Sequence, residues 1–144
     1  MGGGLGRVRS VRGVGTQPVD LGGLDARLAR ITSHRFRARF HVRGRDRAIV
    51  DLRGMPTIRR HARDIIDKRL APAEPDKDGR QTPYRGHPVF VAQHATATCC
   101  RGCLEKWHGI AKGHDLSPEE REYVVEAICR FIAADVAAAG RGRH

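Results

Sequence analysis

The sequence predicts an all-α fold, a small single-domain helical bundle with one long ordered loop. Three observations support this prediction. Between the Gly-rich ends, apolar residues recur at the three- and four-residue spacing of a helix face. The clearest local signals are helix caps. The length of 144 residues suits one domain, and an apolar content of 40% with 5% aromatic residues predicts a mostly aliphatic core.

The two ends of the chain are predicted to be flexible tails. Residues 1–23 and 138–144 are rich in Gly and Arg and show no periodic apolar pattern. Residues 24–137 then form the single helical domain. No run approaches the roughly 18 apolar residues of a membrane helix, and the N-terminus lacks the apolar region of a secretory signal. We therefore expect no membrane partner, and four Cys without such a signal predict a reducing cytoplasm.

Short apolar stripes predict three helices in the first part of the chain. Their residues are Leu24, Leu28 and Ile31, then Phe36 and Phe40, then Ala48, Ile49 and Leu52. A longer helix follows, with Pro56 suited to its first turn and Pro72 ending it. Its apolar stripe consists of Met55, Ile58, Ala62, Ile65, Ile66 and Leu70.

The segment 71–88 contains four Pro and two Gly and is predicted to be an ordered loop. Ordered loops beyond about 12 to 15 residues are usually functional, and a solvated, irregular loop is the alternative. The following run Val89–Val91 is the only candidate strand. The last helix has the strongest start signal, because Ser117, Pro118 and Glu120 match a capping box with Pro at the first helical position.

The positive charge is confined to the first half of the chain. Residues 1–63 hold 15 Arg and four Asp, an excess of +11, whereas residues 64–144 are balanced. In the long helix Arg59, Arg60 and Arg63 lie off the apolar stripe, which predicts a cationic face for nucleic acid. A GC-rich coding bias is the alternative, since Arg outnumbers Lys 23 to 4. Both explanations stay open.

The segment from His94 to His108 contains three Cys and two His and is the main candidate site. Zinc binds Cys thiolates and His nitrogens, and the Cys100-x-x-Cys103 spacing suits two ligands at a helix start. A single Cys-x-x-Cys pair does not identify the metal, so zinc, iron and no metal stay open. The spacing matches no iron–sulfur pattern. The candidate metal ligands are His87, His94, Cys99, Cys100 and Cys103.

Helix geometry limits which residues share a site. If residues 98–108 form one helix, Cys99, Cys100 and Cys103 fall on one arc of about 140°. His108 then lies opposite Cys99 and about 13 Å along the axis, so these two cannot bind one metal. The same arc is also a good core face, because free Cys packs as a small hydrophobe. Cys129 is expected to be such a core residue.

A catalytic thiol is the third possibility for this segment. If Thr96 or Thr98 caps the helix, Cys99 and Cys100 fall in its first turn, where the helix dipole and Arg101 would favour the thiolate. His94 would then act as the base. No orienting third residue is identifiable from the sequence.

Four stretches of the chain resemble a bacterial family of short proteins catalogued as a domain of unknown function, in the 4186 series. They are RFRARFHV, GMPTIRRHARDIIDKRLAPAEP, DGRQTPYRGHPVFVAQHATATCCRGCLEKWHGI and KGHDLSPEEREYVVEAICRFI. The resemblance covers residues 30–134, and it implies that the N-terminal tail is peripheral and implies no activity. Ala111 stands where the family's IPKG-like segment is expected to have Pro.

Three functions are consistent with these observations. The first is a zinc-binding protein whose metal fastens residues 87–103 to the bundle beside a basic face for nucleic acid. The second is an enzyme that uses a Cys99 or Cys100 thiolate with His94. The third is a helical interaction protein whose cysteines only fill the core.

Overall fold

A computed structural model describes residues 21–142 of the chain and confirms the all-α fold. These residues form six α-helices and two short 3₁₀ segments, with no strand among them. The helices are α1 (Leu24–Thr32), α2 (Gly44–Arg53), α3 (Met55–Arg69), α4 (Pro88–Ala95), α5 (Arg101–His108) and α6 (Pro118–Gly142). The 3₁₀ segments are Leu21–Gly23 and Arg37–Arg39. No helix in the described residues is both long enough and apolar enough to cross a membrane.

Helix α6 is the centre of the bundle, and α3 and α4 make their most extensive contacts with it. All six helices contribute buried apolar residues to a single core. Fully buried members of that core are Leu24, Ile58, Ile66, Val89, Leu104, Val124, Ile128 and Ile132. Cys129 is 3% exposed and lies in this core, as expected from its position. Leu52, by contrast, is 84% exposed and contributes nothing to it.

The start of α6 confirms the predicted capping box. The backbone N–H of Glu120 donates to Ser117 Oγ at 3.0 Å, and the backbone N–H of Ser117 donates to Glu120 Oε1 at 2.9 Å. These two bonds satisfy donors that a helix N-terminus otherwise leaves without partners.

The candidate strand Val89–Val91 is wrong, because these residues lie in α4. His87 caps this helix by accepting a hydrogen bond from the backbone N–H of Val89 at 3.0 Å, and Pro88 occupies its first position. The strand prediction failed because α4 is buried nearly all round, so its sequence lacks a polar face. A short apolar run of this kind does not distinguish a strand from a buried helix.

The two predicted tails fall partly outside the described residues. Of residues 1–23, only Leu21–Gly23 are described, and they form a 3₁₀ turn. At the other end α6 continues through the Ala-rich residues 137–139 to Gly142. Alanine has the highest helix propensity, which accounts for the extension. The division of the chain into a domain and two tails stays a prediction.

The segment between α3 and α4 is an ordered loop, held at several points. Its Gln81 Nε2 donates to the carbonyl of Arg69 at 3.4 Å, and Thr82 Oγ1 donates to the carbonyl of Cys99 at 2.8 Å. The backbone N–H of Ala73 donates to Asp115 Oδ1 at 2.8 Å. The loop therefore packs against the turn that carries the cysteines.

Candidate metal centre

A tight turn between α4 and α5 brings three cysteines together. Within this turn Ala97 is fully buried and adopts a left-handed backbone, with φ of 60°. Non-glycine residues rarely adopt this conformation. Where they do, the surrounding structure holds the strained backbone in place, often at a functional site. The turn is held by Gln93, whose Nε2 donates to the carbonyl of Thr98 at 2.9 Å. The turn places Cys99 beside the face of α5 that carries Cys103.

The three sulfur atoms of Cys99, Cys100 and Cys103 all lie within 4.8 Å of one another. The Sγ atoms of Cys99 and Cys103 are 3.7 Å apart. A tetrahedral zinc ion with Zn–S bonds of about 2.3 Å places its sulfur ligands about 3.8 Å apart. All four cysteines are free thiols. The spacing therefore suits three thiolate ligands of one metal ion.

The start of α5 differs from the predicted helix over residues 98–108. The helix begins at Arg101, and its cap is Cys100, whose Sγ accepts a hydrogen bond from the backbone N–H of Cys103 at 3.4 Å. The predicted caps Thr96 and Thr98 instead bond to each other, with 3.0 Å between their hydroxyl oxygens. That helical interpretation was wrong because the turn reverses the chain immediately before Cys99.

Arg37 is the cation that faces the cluster. This residue is 8% exposed, and its Nη2 donates to Cys103 Sγ at 3.3 Å. Its Nη1 donates to Cys99 Sγ at 3.7 Å and to the carbonyl of His94 at 2.6 Å. Burial lowers the pKa of Arg37, but the hydrogen bonds to Cys99 and Cys103 outweigh it and raise that pKa above its ordinary value. The guanidinium is therefore charged and directed at sulfur.

Hydrogen bonding within the cluster shifts the pKa values of Cys103 and Cys99 in opposite directions. Hydrogen bonds from the thiols of Cys100 and Cys99, assisted by Arg37, hold the pKa of Cys103 below its ordinary value. Hydrogen bonding to Cys100 and Cys103, together with burial, raises the pKa of Cys99. Cys103 is therefore the cysteine of the cluster that most readily forms a thiolate, and the Cys99 thiol donates a hydrogen bond to its sulfur.

Sequence reasoning expected Arg101 to influence the thiols and missed Arg37. Arg101 is fully buried on the other side of α5, where its guanidinium donates to backbone carbonyls. Arg37 lies more than 60 residues before Cys99 and Cys103. In the sequence it is one of several alternating arginines in RFRARF, with no signal that separates it from its neighbours.

The two candidate histidine ligands lie apart from the sulfur cluster, and each ring has other partners. His94 Nε2 is 3.1 Å from the carbonyl oxygens of both Thr82 and Pro83. His87 caps α4 through Nδ1, while its Nε2 lies 3.0 Å from His61 Nδ1. Among the described residues, the group of potential ligand atoms consists of the three thiols.

His108 also has other partners than the cysteines. Its Nε2 lies 2.7 Å from the carbonyl oxygen of Thr96, so this nitrogen carries the hydrogen. Its Nδ1 then accepts from the hydroxyl of Tyr123 at 2.8 Å. Burial lowers the pKa of His108 to about 4. Burial and the neighbouring His61 lower the pKa of His87 to about 4 as well.

We expect the free energy of unfolding to fall as the pH drops from about 6.5 to about 4. In this range the unfolded chain binds a proton at each of His87 and His108, whereas the folded chain binds neither. Each histidine then favours unfolding by up to about 1.4 kcal/mol per pH unit. Urea denaturation at pH 7 and pH 5 measures the loss.

A His87→Asn variant provides the control, because Asn keeps an acceptor for the helix cap and removes one titrating group. Its loss of stability between pH 7 and pH 5 should be smaller than that of the wild type. An equal loss in both proteins would contradict the assignment of a neutral, partly buried His87.

The predicted cationic face on α3 is largely neutralised by α6. Arg59 pairs with Glu126 at 3.0 Å, and Arg63 makes two bonds to Glu122 at 2.9 and 3.0 Å. Arg60 is exposed and donates to Thr57 at 3.2 Å. Carboxylates beside these arginines reduce the positive potential available to a phosphate backbone. Nucleic-acid binding through this face stays a prediction.

Comparison with known proteins identifies the family and adds no activity. No solved structure matches the chain. A family model described as a domain of unknown function, DUF4186, matches residues 25–133, which include all six helices in whole or part and the three clustered cysteines. The chain therefore belongs to the DUF4186 family, as the resemblance of the Cys-containing segment predicted.

Proposed function

We propose that Cys99, Cys100 and Cys103 bind one zinc ion as thiolates and that the protein functions as a zinc-binding protein. The observation that carries this proposal is the cluster of three sulfur atoms, which lie within 4.8 Å of one another beside Arg37. The guanidinium of Arg37 is buried and donates to two of the three sulfurs and one carbonyl, with no carboxylate among its partners in the described residues. A buried charge of this kind is costly unless an opposite charge lies beside it.

A zinc–thiolate complex would supply that opposite charge. Three thiolates and one Zn²⁺ ion carry a combined charge of −1, which the +1 charge of Arg37 balances. Arg37 would also donate hydrogen bonds to the bound sulfurs, as residues around metal ligands commonly do. Without metal, Arg37 balances the single Cys103 thiolate, whereas Arg37 together with Zn²⁺ balances all three thiolates. The charge of the site is therefore compatible with the metal-bound form.

The ligand set supports an accessible zinc ion. Zinc takes four ligands, and sites with three protein ligands keep the fourth position for water or a substrate. Cys100 and Cys103 are partly exposed, so this position can face solvent. His87 and His94, the other candidates from the sequence, would need to leave their present partners to bind. We therefore assign the ligand role to the three cysteines alone.

The alternative function, an enzyme with a Cys99 or Cys100 thiolate and His94 as base, has less support. His94 Nε2 is engaged with two backbone carbonyls, and its ring is stacked against Tyr84 with 4.3 Å between ring centroids. The thiol with the lowered pKa is Cys103. Nucleophilic catalysis stays a prediction that requires another base.

The decisive experiment is metal analysis of protein purified under reducing conditions without chelators. We expect one zinc ion per chain in the wild type and close to none in Cys99→Ser, Cys100→Ser and Cys103→Ser. Cobalt substitution should give the strong ultraviolet absorption of thiolate-to-cobalt charge transfer. Cys129→Ala is the matched control, because this buried thiol lies in α6, outside the cluster.

Retention of zinc by the Cys100→Ser or Cys103→Ser variant would place the metal elsewhere. A wild-type protein that is folded and reduced, yet binds neither zinc nor cobalt, would overturn the proposal. Circular dichroism of each variant separates loss of the metal from loss of the fold.

A further inference from the structure

The arginines of the described chain divide into two groups. Those on α3 and α6 are mostly paired with carboxylates, as in Arg63 with Glu122 and Arg121 with Asp67. A second group makes no salt bridge or side-chain hydrogen bond with the described residues, and it includes Arg39, Arg43, Arg45 and Arg85. All four are exposed. Arg43, Arg45 and Arg85 line one cleft, so their positive charge is concentrated there.

Exposed aromatic rings lie among these arginines. Phe36 is 43% exposed and Tyr84 is 63% exposed, although large rings are usually buried. Phe40 connects them, with its ring centroid 5.2 Å from that of Phe36 and 6.1 Å from that of Tyr84. The guanidinium of Arg39 lies 5.8 Å from the centroid of Phe36. Rings and cations thus form one continuous surface.

The Tyr84 ring is exposed but well supported. It stacks on the buried ring of His94, with 4.3 Å between centroids and an angle of 12° between planes. Phe40 lies beside this pair, with its ring centroid 5.2 Å from that of His94 and 6.1 Å from that of Tyr84. His94 is fixed by the carbonyls of Thr82 and Pro83. Because its support is rigid, Tyr84 loses little side-chain freedom when a flat ligand stacks on it.

A basic cleft continues the surface beyond Tyr84. Arg43, Arg45, Arg85 and Gly86 line a cleft of about 410 Å³ together with Asp46. Asp46 is the opposing charge, but it is 8% exposed, burial raises its pKa, and it accepts a hydrogen bond from the Gly86 backbone. Three exposed guanidiniums around one carboxylate leave a net positive cleft. Such a cleft suits phosphate groups.

We propose that this surface, formed by Phe36, Arg39, Arg43, Arg45, Tyr84 and Arg85, binds single-stranded nucleic acid. Bases would stack on Tyr84 and Phe36 while the arginines contact phosphates, the combination used by proteins that bind single strands without sequence preference. A duplex keeps its bases stacked and inaccessible to exposed rings. An acidic peptide would use the arginines but not the aromatic stack. The combination of rings and cations therefore favours a single strand.

The experiment is a binding titration of the full chain with a fluorescein-labelled oligo(dT) or oligo(U), followed by anisotropy at several salt concentrations. We expect affinity to fall steeply as salt rises. Tyr84→Ala should weaken binding by about tenfold or more, as loss of one stacked base does. The triple variant Arg43→Ala, Arg45→Ala, Arg85→Ala should weaken binding further and reduce the salt slope.

The matched control is the triple variant Arg59→Ala, Arg60→Ala, Arg63→Ala, which removes the same charge from α3. It should bind like the wild type. Equal loss in the two triple variants would mean that net charge alone drives binding and would overturn the assignment. Unchanged binding by Tyr84→Ala, tighter binding of a duplex of equal length, or equal binding of a poly-glutamate peptide would overturn it as well. Zinc content measured in parallel keeps this test separate from the metal proposal.

Discussion

Replacing Arg101 with methionine is expected to lower the free energy of unfolding by more than about 4 kcal/mol or to prevent folding. Arg101 is fully buried in α5, and its Nη1 donates to the carbonyl of Pro72 at 2.7 Å. Its Nη2 donates to the carbonyl of His114 at 2.8 Å and to that of Ala111 at 3.2 Å. A hydrogen bond from a charged donor contributes about 1.5–3 kcal/mol, and methionine replaces none of them.

The large expected loss of stability arises because Arg101 connects three parts of the fold. The carbonyls of Leu70 and Ala71, at the end of α3, also accept from its Nη1 at 3.3 and 3.4 Å. One side chain therefore fastens the end of α3 and the segment before α6 to the helix that carries the cysteines. Without it, several backbone carbonyls in the interior lose their donor, which is costly in a buried setting.

Urea denaturation followed by circular dichroism measures this effect. Arg60→Met is the control, since Arg60 is an exposed arginine of α3 and its loss should change stability by no more than about 0.5 kcal/mol. Arg101→Lys should be intermediate, because lysine keeps the charge but not the planar fork of donors. If Arg101→Met unfolds at the same urea concentration as the wild type, these hydrogen bonds are dispensable for stability.

Replacing Arg37 with methionine is expected to weaken zinc binding by roughly 10- to 100-fold, the range found for residues that contact metal ligands. The physical reason is that Arg37 is the cation beside the sulfurs, with Nη2 at 3.3 Å from Cys103 Sγ. Without it, the negative charge of a zinc–thiolate complex is buried alone. Competition with a chelator of known affinity measures the change.

Two further variants make this second prediction specific. Arg37→Lys keeps the charge and should retain part of the affinity, even if methionine destabilises the fold. Arg39→Met removes an exposed arginine two residues away and should bind zinc like the wild type. If Arg37→Met binds zinc with the affinity of the wild type, Arg37 does not contribute to zinc binding.

Local sequence signals were sufficient for most helices. The capping box at Ser117 and Glu120 and the stripe of α3 depend on contacts within a few residues, so they are visible in the sequence. The same holds for the Cys100-x-x-Cys103 spacing at a helix start. Val89–Val91 is one exception, because α4 is surrounded by protein and has no polar face to reveal its period. The helix predicted from Phe36 and Phe40 is another, since these residues flank only the 3₁₀ segment Arg37–Arg39.

The sequence by itself therefore determined an all-α bundle, the family, and a cysteine cluster that could bind metal. Only the tertiary structure decided which arginine serves which purpose. Arg37, Arg59 and Arg101 are chemically identical in the sequence, yet one faces thiols, one pairs with Glu126 and one holds backbone carbonyls. Each role depends on at least one partner 29 to 67 residues away, because burial and charge pairing are set by packing between helices.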